Sequence, residues 1–102
     1  MAVIEGPVLE VARITVATGQ EPQFEAAYAE AVQVVAAQQG FRRVSLTRGI
    51  EEPSSYLLLV EWDSLEAHTV GFRESEDFPR WRALVGPFFA GPPVVQHYSP
   101  VG

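Results

Sequence analysis

The chain contains no cysteine, and this absence excludes several kinds of site at once. Without thiols there can be no disulfides, thiolate metal sites, iron–sulfur clusters or cysteine nucleophile. Its two histidines, His68 and His97, are not joined by a closely spaced set of acidic ligands, so the sequence predicts no metal site. Glycine-rich phosphate loops and serine nucleophile elbows are also missing, and a nucleotide or flavin cofactor is therefore not expected.

Basic residues and long apolar runs are scarce as well. Seven basic residues face thirteen acidic ones, the net charge is −6, and the basic residues form no cluster. Because nucleic acids and anionic membranes attract clustered Lys and Arg, neither is an expected partner. No stretch approaches the roughly 20 apolar residues of a membrane span, and the N-terminus lacks the basic region of a signal peptide. We expect a cytoplasmic protein with one domain over residues 1–102, of which residues 1–7 form a flexible tail.

The apolar pattern predicts alternating strands and helices. Strands are expected over residues 8–16, 41–48, 56–62 and 94–98, where β-branched and alternating apolar residues concentrate. Helical spacing follows the first strand, from Pro22 to Gly40, and it returns in two shorter pieces after the third strand. The order β-α-β-β-α-β, with the second helix split, predicts an α+β, ferredoxin-like fold with one antiparallel sheet.

The third strand is apolar on both faces, and this indicates a partner. Helices can cover only one face of the sheet, yet Leu57 and Leu59 point away from the side on which Tyr56 and Trp62 lie. An exposed apolar sheet face would be a liability in a monomer. We therefore expect a homodimer in which two sheets pack face to face with two-fold symmetry.

A histidine in an apolar stripe marks the most informative stretch. The third strand ends at Trp62, Asp63 or Ser64 can cap the helix that follows, and that helix places His68 on one side with Phe72. This arrangement suggests a pocket between the strand end and the helix. His68 is either a general base, since its unperturbed pKa is near neutrality, or a core histidine bonded to a backbone carbonyl.

Two segments resemble a known family. EWDSLEAH at residues 61–68, then Phe72 and FPRWRALVGPFFAGPPVV at residues 78–95, are similar to the antibiotic biosynthesis monooxygenase family of dimeric α/β barrels. The resemblance extends over about residues 8–99. It implies that two ferredoxin-like sheets pack into a dimeric α/β barrel.

The resemblance also implies a set of site residues. Cofactor-independent oxygenases of this family use an Asn on the third strand, a Trp at its end, a Tyr on the short helix and a downstream Arg. Trp62 fits the Trp and Arg82 fits the Arg, whereas Leu58 stands at the Asn position and His68 at the Tyr position. The haem-degrading branch has an Asn on the first strand and a downstream Trp and His that are not recognisable here, so haem is not expected.

These observations support an oxygenase hypothesis that requires neither metal nor bound cofactor. The substrate would be an aromatic or polyketide-like phenol or hydroquinone, deprotonated by His68 or a pocket water and then oxidised by dioxygen. Trp62 would orient the ring, and Arg82 would stabilise the developing charge. The catalytic candidates are His68, Trp62 and Arg82, and the substrate-binding candidates are Phe72, Trp81, Tyr28 and Leu58.

Several of these residues also have purely structural interpretations. Trp62 fills the end of the core in any case, Arg82 could be a surface residue paired with Glu74 or Asp77, and the aromatic candidates could simply be core. Only one of His97 and Tyr98 can face the helices, because they alternate on the last strand. The alternative function is a non-catalytic dimer that binds a small apolar molecule or another protein.

Overall fold

The computed structural model describes residues 7–101, and their order is the predicted one. Strand β1 spans Val8–Thr15, helix α1 Glu21–Ala36, β2 Phe41–Arg48 and β3 Ser55–Trp62; a π-helix at Ala67–Phe72, helix α2 at Asp77–Val85, a 3₁₀ turn at Gly86–Phe88 and β4 at Val94–Tyr98 complete the chain. The predicted tail over residues 1–7 lies, apart from Pro7, outside the described residues. No helix in the described range is both long and apolar enough to cross a membrane.

The four strands form one antiparallel sheet in the order β2-β3-β1-β4. The prediction of an α+β, ferredoxin-like fold is therefore confirmed. Strand β3 lies between β2 and β1, and this interior position agrees with its apolar sequence. Its residues alternate between full and partial burial, and the buried set faces the helices.

The core lies between the helices and one face of the sheet. Phe24, Ala31 and Val35 of α1 are buried against Tyr56 and the other inward residues of β3. On the opposite face Leu57 and Leu59 remain half-buried, and Leu9, Val94 and Tyr98 are exposed. An apolar surface therefore exists on the face that the helices leave uncovered.

The short helix after β3 has π-helical geometry, which the sequence pattern did not predict. The backbone N–H of Arg73 donates to the carbonyl of His68, five residues earlier, at 2.9 Å. Ser64 accepts a hydrogen bond from the N–H of Ala67 at 3.1 Å, whereas Asp63 pairs with Arg42 at 2.6 Å. Of the two predicted caps, Ser64 is therefore the one that the structure uses.

Gly40 allows the loop before β2 to pass close to the π-helix. Its φ is +87°, and a Cβ at this position would lie 2.6 Å from the Cβ of Ala67. A side chain would be strained by the backbone conformation and would also collide with the π-helix. The glycine thus fixes the distance between this loop and the segment that carries His68.

Candidate functional site

A cavity of about 330 Å³ lies between the inner face of the sheet, the π-helix and α2. Most of its wall is apolar, with aromatic side chains from Phe72, Phe78, Trp81 and Phe89. The polar side chains of the wall are those of Glu10, His68, Arg73 and Arg82. An apolar space with a few convergent polar groups is the usual form of a small-molecule site.

Glu10 is a carboxyl group on the buried face of β1. It alternates with Val8, Ala12 and Ile14, all of which are buried, and only 6% of its own surface is exposed. Burial raises its pKa to about 7, although a hydrogen bond from Trp62 and the charge of Arg73 act in the opposite direction. Glu10 is not among the site residues predicted from the sequence. The sequence feature that could have revealed it is an acidic residue that alternates with the buried apolar positions of a strand.

The Glu10 carboxyl is held at one oxygen. The indole Nε1–H of Trp62 donates to Oε1 of Glu10 at 3.0 Å, and Nε2 of His68 lies 3.4 Å from the same atom. The side chains of Glu10 and His68 are both almost fully buried, and Trp62 is fully buried. These contacts join β1, β3 and the π-helix at one end of the cavity.

His68 is buried between Trp62 and the last strand. Its ring stacks on that of Trp62, with centroids 5.4 Å apart, and its Nδ1 lies 2.8 Å from Nε2 of His97. Burial, followed by the neighbouring His97 and Arg73, lowers the pKa of His68 to about 3. The imidazole is therefore neutral at ordinary pH. The alternative that His68 bonds a backbone carbonyl with its ring is not what the structure shows.

His97, and not Tyr98, faces the helices. It lies opposite Glu10 in the pairing of β4 with β1, whereas Tyr98 is on the other side with half its surface exposed. Burial and the charge of Arg73 lower the pKa of His97 as well. Within residues 7–101, no group of three His, Asp or Glu side chains is arranged to hold a metal ion.

Two arginines supply positive charge at the cavity. Arg73 directly follows the π-helix, and the guanidinium of Arg82 lies 5.9 Å from the centre of the Phe78 ring. In the described part of the chain, neither forms an ion pair with a carboxylate within 4.0 Å. Asp77, a predicted structural partner of Arg82, instead contacts Arg80 at 3.0 Å. The charge of both arginines thus remains available to a ligand.

The predicted site residues are placed unequally around the cavity. The residues that line it are His68, Arg82, Phe72, Trp81 and Leu58. Trp62 has no exposed surface and is separated from the space by His68, so in this structure it cannot stack on a ligand. Tyr28 packs on the edge of the core and does not line the cavity.

Comparison with known proteins identifies a matching family and a similar relative. The family model described as antibiotic biosynthesis monooxygenase matches residues 7–84. The uncharacterised protein YczJ of Bacillus subtilis is 39% identical over 94 residues, which are 92% of this chain and 99% of that protein.

Two solved structures are also similar to this chain. A candidate antibiotic biosynthesis monooxygenase from Bordetella bronchiseptica is 43% identical, with a TM-score of 0.92 over 95% of this chain and 99% of the other. SnoaB, a cofactor-independent oxygenase from Streptomyces nogalater, has a TM-score of 0.78 over 95% of each chain. The sequence identity between SnoaB and this chain is 23%, so this similarity shows a shared fold.

Proposed function

The chain belongs to the antibiotic biosynthesis monooxygenase family, and on this premise we propose that it oxidises an electron-rich aromatic compound with molecular oxygen. One observation carries the proposal: an apolar, aromatic-walled cavity contains a buried carboxyl group and two arginines without carboxylate partners among the described residues. The substrate class is a phenol, hydroquinone or anthrone-like compound. Its flat ring suits the aromatic wall, and its acidic hydrogen suits the buried carboxyl.

In the proposed reaction the substrate supplies the electrons, and the protein supplies a base and a dry site. The base removes a proton from an acidic C–H group, or from an O–H group conjugated with the reacting ring carbon, and the anion then carries negative charge on that carbon and transfers electrons to dioxygen. A carbon–oxygen bond then forms, the peroxide anion takes back the proton held by the base, and the resulting hydroperoxide loses water to leave a carbonyl. For a ring methylene, CH2 and O2 give C=O and H2O, so that one oxygen atom enters the product and the other leaves as water.

Arg82 is proposed to stabilise negative charge on the substrate anion and the peroxide. A fixed planar donor at the wall of an apolar space is suited to this role. We expect Arg82→Gln to lower kcat/KM. Arg80→Gln is the matched control, because Arg80 lies on the same helix but contacts Asp77 outside the cavity. Equal rates in the two variants would contradict the role of Arg82.

Oxygen consumption tests the proposed function directly. We expect the purified protein, treated with chelator, to consume oxygen in the presence of a panel of anthrones and to form the corresponding anthraquinones. An oxygen electrode measures uptake, and mass spectrometry with ¹⁸O₂ should find one labelled atom in the product. Absence of uptake above the uncatalysed rate across such a panel would contradict an oxygenase.

Leu58 favours a second candidate function. It places a buried aliphatic side chain in the cavity wall, where the resemblance to the oxygenases implies an Asn, so that the wall offers no amide at this point. A site that only binds a small apolar molecule needs no amide there. Calorimetric binding of the same panel in air, without consumption of ligand or oxygen, would favour this function.

We propose further that the protein is a homodimer formed through the uncovered face of the sheet. Leu57 and Leu59 on β3 lie beside Leu9 and Val11 of β1 on that face, and burial of this apolar area would drive association. We expect a mass of twice 11.2 kDa by light scattering, and we expect Leu59→Arg to give monomers. Ile50→Arg is the control, since Ile50 is 90% exposed in a loop. A wild-type monomer at micromolar concentration would contradict the dimer.

A further inference from the structure

We propose that Glu10 is the general base of the reaction, and that Trp62, His68 and His97 are positioning residues that hold one of its carboxylate oxygens and leave the other facing the substrate. The inference rests on the proposed function and assigns the residue that removes the proton. It also changes the role of His68, which the sequence offered as one candidate for the base.

His68 is poorly placed to accept a proton from a ligand, because both of its ring nitrogens have protein partners. Its Nδ1 is 2.8 Å from His97, and its Nε2 is 3.4 Å from Glu10. One face of the imidazole is also covered, since it stacks on Trp62. The part of His68 that borders the cavity therefore offers no free lone pair.

Glu10 has the free atom that His68 lacks. Both the hydrogen bond from Trp62 and the contact with His68 use Oε1. No buried side-chain nitrogen or oxygen among the described residues is without a hydrogen-bond partner. Since residues 7–101 form no hydrogen bond with Oε2, this atom is not closed off by them, and Glu10 lines the cavity. A ligand proton can thus reach Oε2 directly.

One assignment of protons satisfies all of these contacts. With Glu10 ionised, Oε1 accepts from Trp62 Nε1–H and faces His68 Nε2–H at 3.4 Å, which leaves Nδ1 of His68 to accept from His97 Nε2–H. Both histidines are then neutral, in agreement with the directions in which their pKa values are displaced. The network orients the carboxylate as the third member of a catalytic triad orients its histidine.

The charges around Glu10 suit a base that works near neutral pH. Three charged or titratable groups surround it: His68 from the π-helix, Arg73 from the turn after it, and His97 from β4. Trp62 adds an N–H from β3, and Arg82 of α2 lines the same cavity. Burial raises the pKa of Glu10 to about 7 against the effect of Trp62 and Arg73. A base is most effective when its pKa is close to the working pH.

The test separates proton removal from oxidation. Anthrone is incubated with the protein in D₂O under argon, and proton NMR follows loss of its methylene hydrogens above the rate in buffer. We expect the wild type to accelerate exchange and Glu10→Gln to lose about 10²–10⁴-fold of that rate, the usual contribution of a general base. Glu30→Gln, at an exposed position on α1, should exchange at the wild-type rate.

The exchange rate should also rise with pH up to about 7 and then level off, because the ionised carboxylate is the active form. Trp62→Phe removes a donor to that carboxylate, and we expect it to move the midpoint of this rise about one pH unit higher. His97→Leu should lower the rate, and His97→Gln, which retains an N–H donor, should restore part of it.

The outcomes distinguish the two proposals. Exchange that depends on Glu10, without oxygen uptake, would support Glu10 as the base and contradict the oxygenase. Oxygen uptake or exchange that persists in Glu10→Gln would overturn the assignment of Glu10 and leave the oxygenase in place. An unchanged midpoint in Trp62→Phe would overturn the positioning role of the network.

Discussion

Replacement of Glu10 by Gln is expected to stabilise the folded protein by about 3 kcal/mol above pH 7, although the same change should remove proton transfer. The pKa of Glu10 rises from 4.5 to about 7 on folding, and each pKa unit corresponds to about 1.4 kcal/mol. Glu10 is deeply buried, so solvent screens little of this energy. Ionisation of the folded protein at this position is therefore costly.

The sign of the effect follows from proton binding. Between pH 4.5 and about 7 the folded state holds a proton on Glu10 that the unfolded state has already released, so the wild type loses stability as pH rises through this range. Glutamine does not titrate, and the advantage of the variant should grow over the same range and then become constant.

Protonation of His68 changes stability with pH in the opposite direction, and His68 is present in both the wild type and Glu10→Gln. Its pKa is lowered from 6.5 to about 3 in the folded state, so stability is fully present above pH 6.5 and is lost as pH falls toward 3. The two effects largely cancel between pH 4.5 and 6.5 in the wild type, and the difference between variant and wild type is for this reason the informative quantity. Urea titrations at pH 4, 6 and 8 measure it. A difference that does not change with pH would contradict a raised pKa for Glu10.

Truncation of Trp62 is expected to have the largest destabilising effect at the site. Trp62 is fully buried, stacks on His68 and Phe72, and meets Phe41 edge to face at 6.2 Å. Loss of a buried tryptophan side chain usually costs about 3–5 kcal/mol. We therefore expect Trp62→Ala to lower the free energy of unfolding by that amount, and denaturant titration measures it.

Trp62→Phe separates the indole N–H from the packing. Phenylalanine retains most of the stacking but leaves Oε1 of Glu10 without its donor, and a hydrogen bond to a charged group is worth about 1.5–3 kcal/mol. The cost should be larger at pH 8, where Glu10 is ionised, than at pH 5. Trp81→Phe is the control, because Trp81 is also buried and its indole donates to no carboxyl group within residues 7–101. A cost that is equal at both pH values would mean that the donor does not act on Glu10.

Both predictions concern the same compromise. A carboxyl group that is uncharged when buried costs the fold little, but a base must be ionised to work, and ionisation at this position destabilises the protein. Such conflicts between local stability and chemistry are typical of functional sites.

The sequence by itself determined the fold and one side of the cavity. Strand and helix periods are local properties, and the apolar positions from Tyr56 to Trp62 reveal which residues face the core, because side chains alternate along a strand. The same periodicity, with the resemblance to the family, placed His68 and Arg82 at a common space. Within the secondary structure, the choice between α- and π-helical geometry escaped it, since the two differ by one residue in the span of each hydrogen bond.

The tertiary structure alone decided which groups meet. Glu10, Trp62, His68 and His97 come from four separate elements, and their contacts depend on strand order and on the register that sets Glu10 opposite His97. No local pattern specifies these distances. The pKa values of Glu10 and His68 depend on burial and neighbouring charge, which exist only after the sheet and helices have packed. For the same reason Trp62, which the sequence placed against a ligand, is in the structure a hydrogen-bond donor to a buried carboxyl.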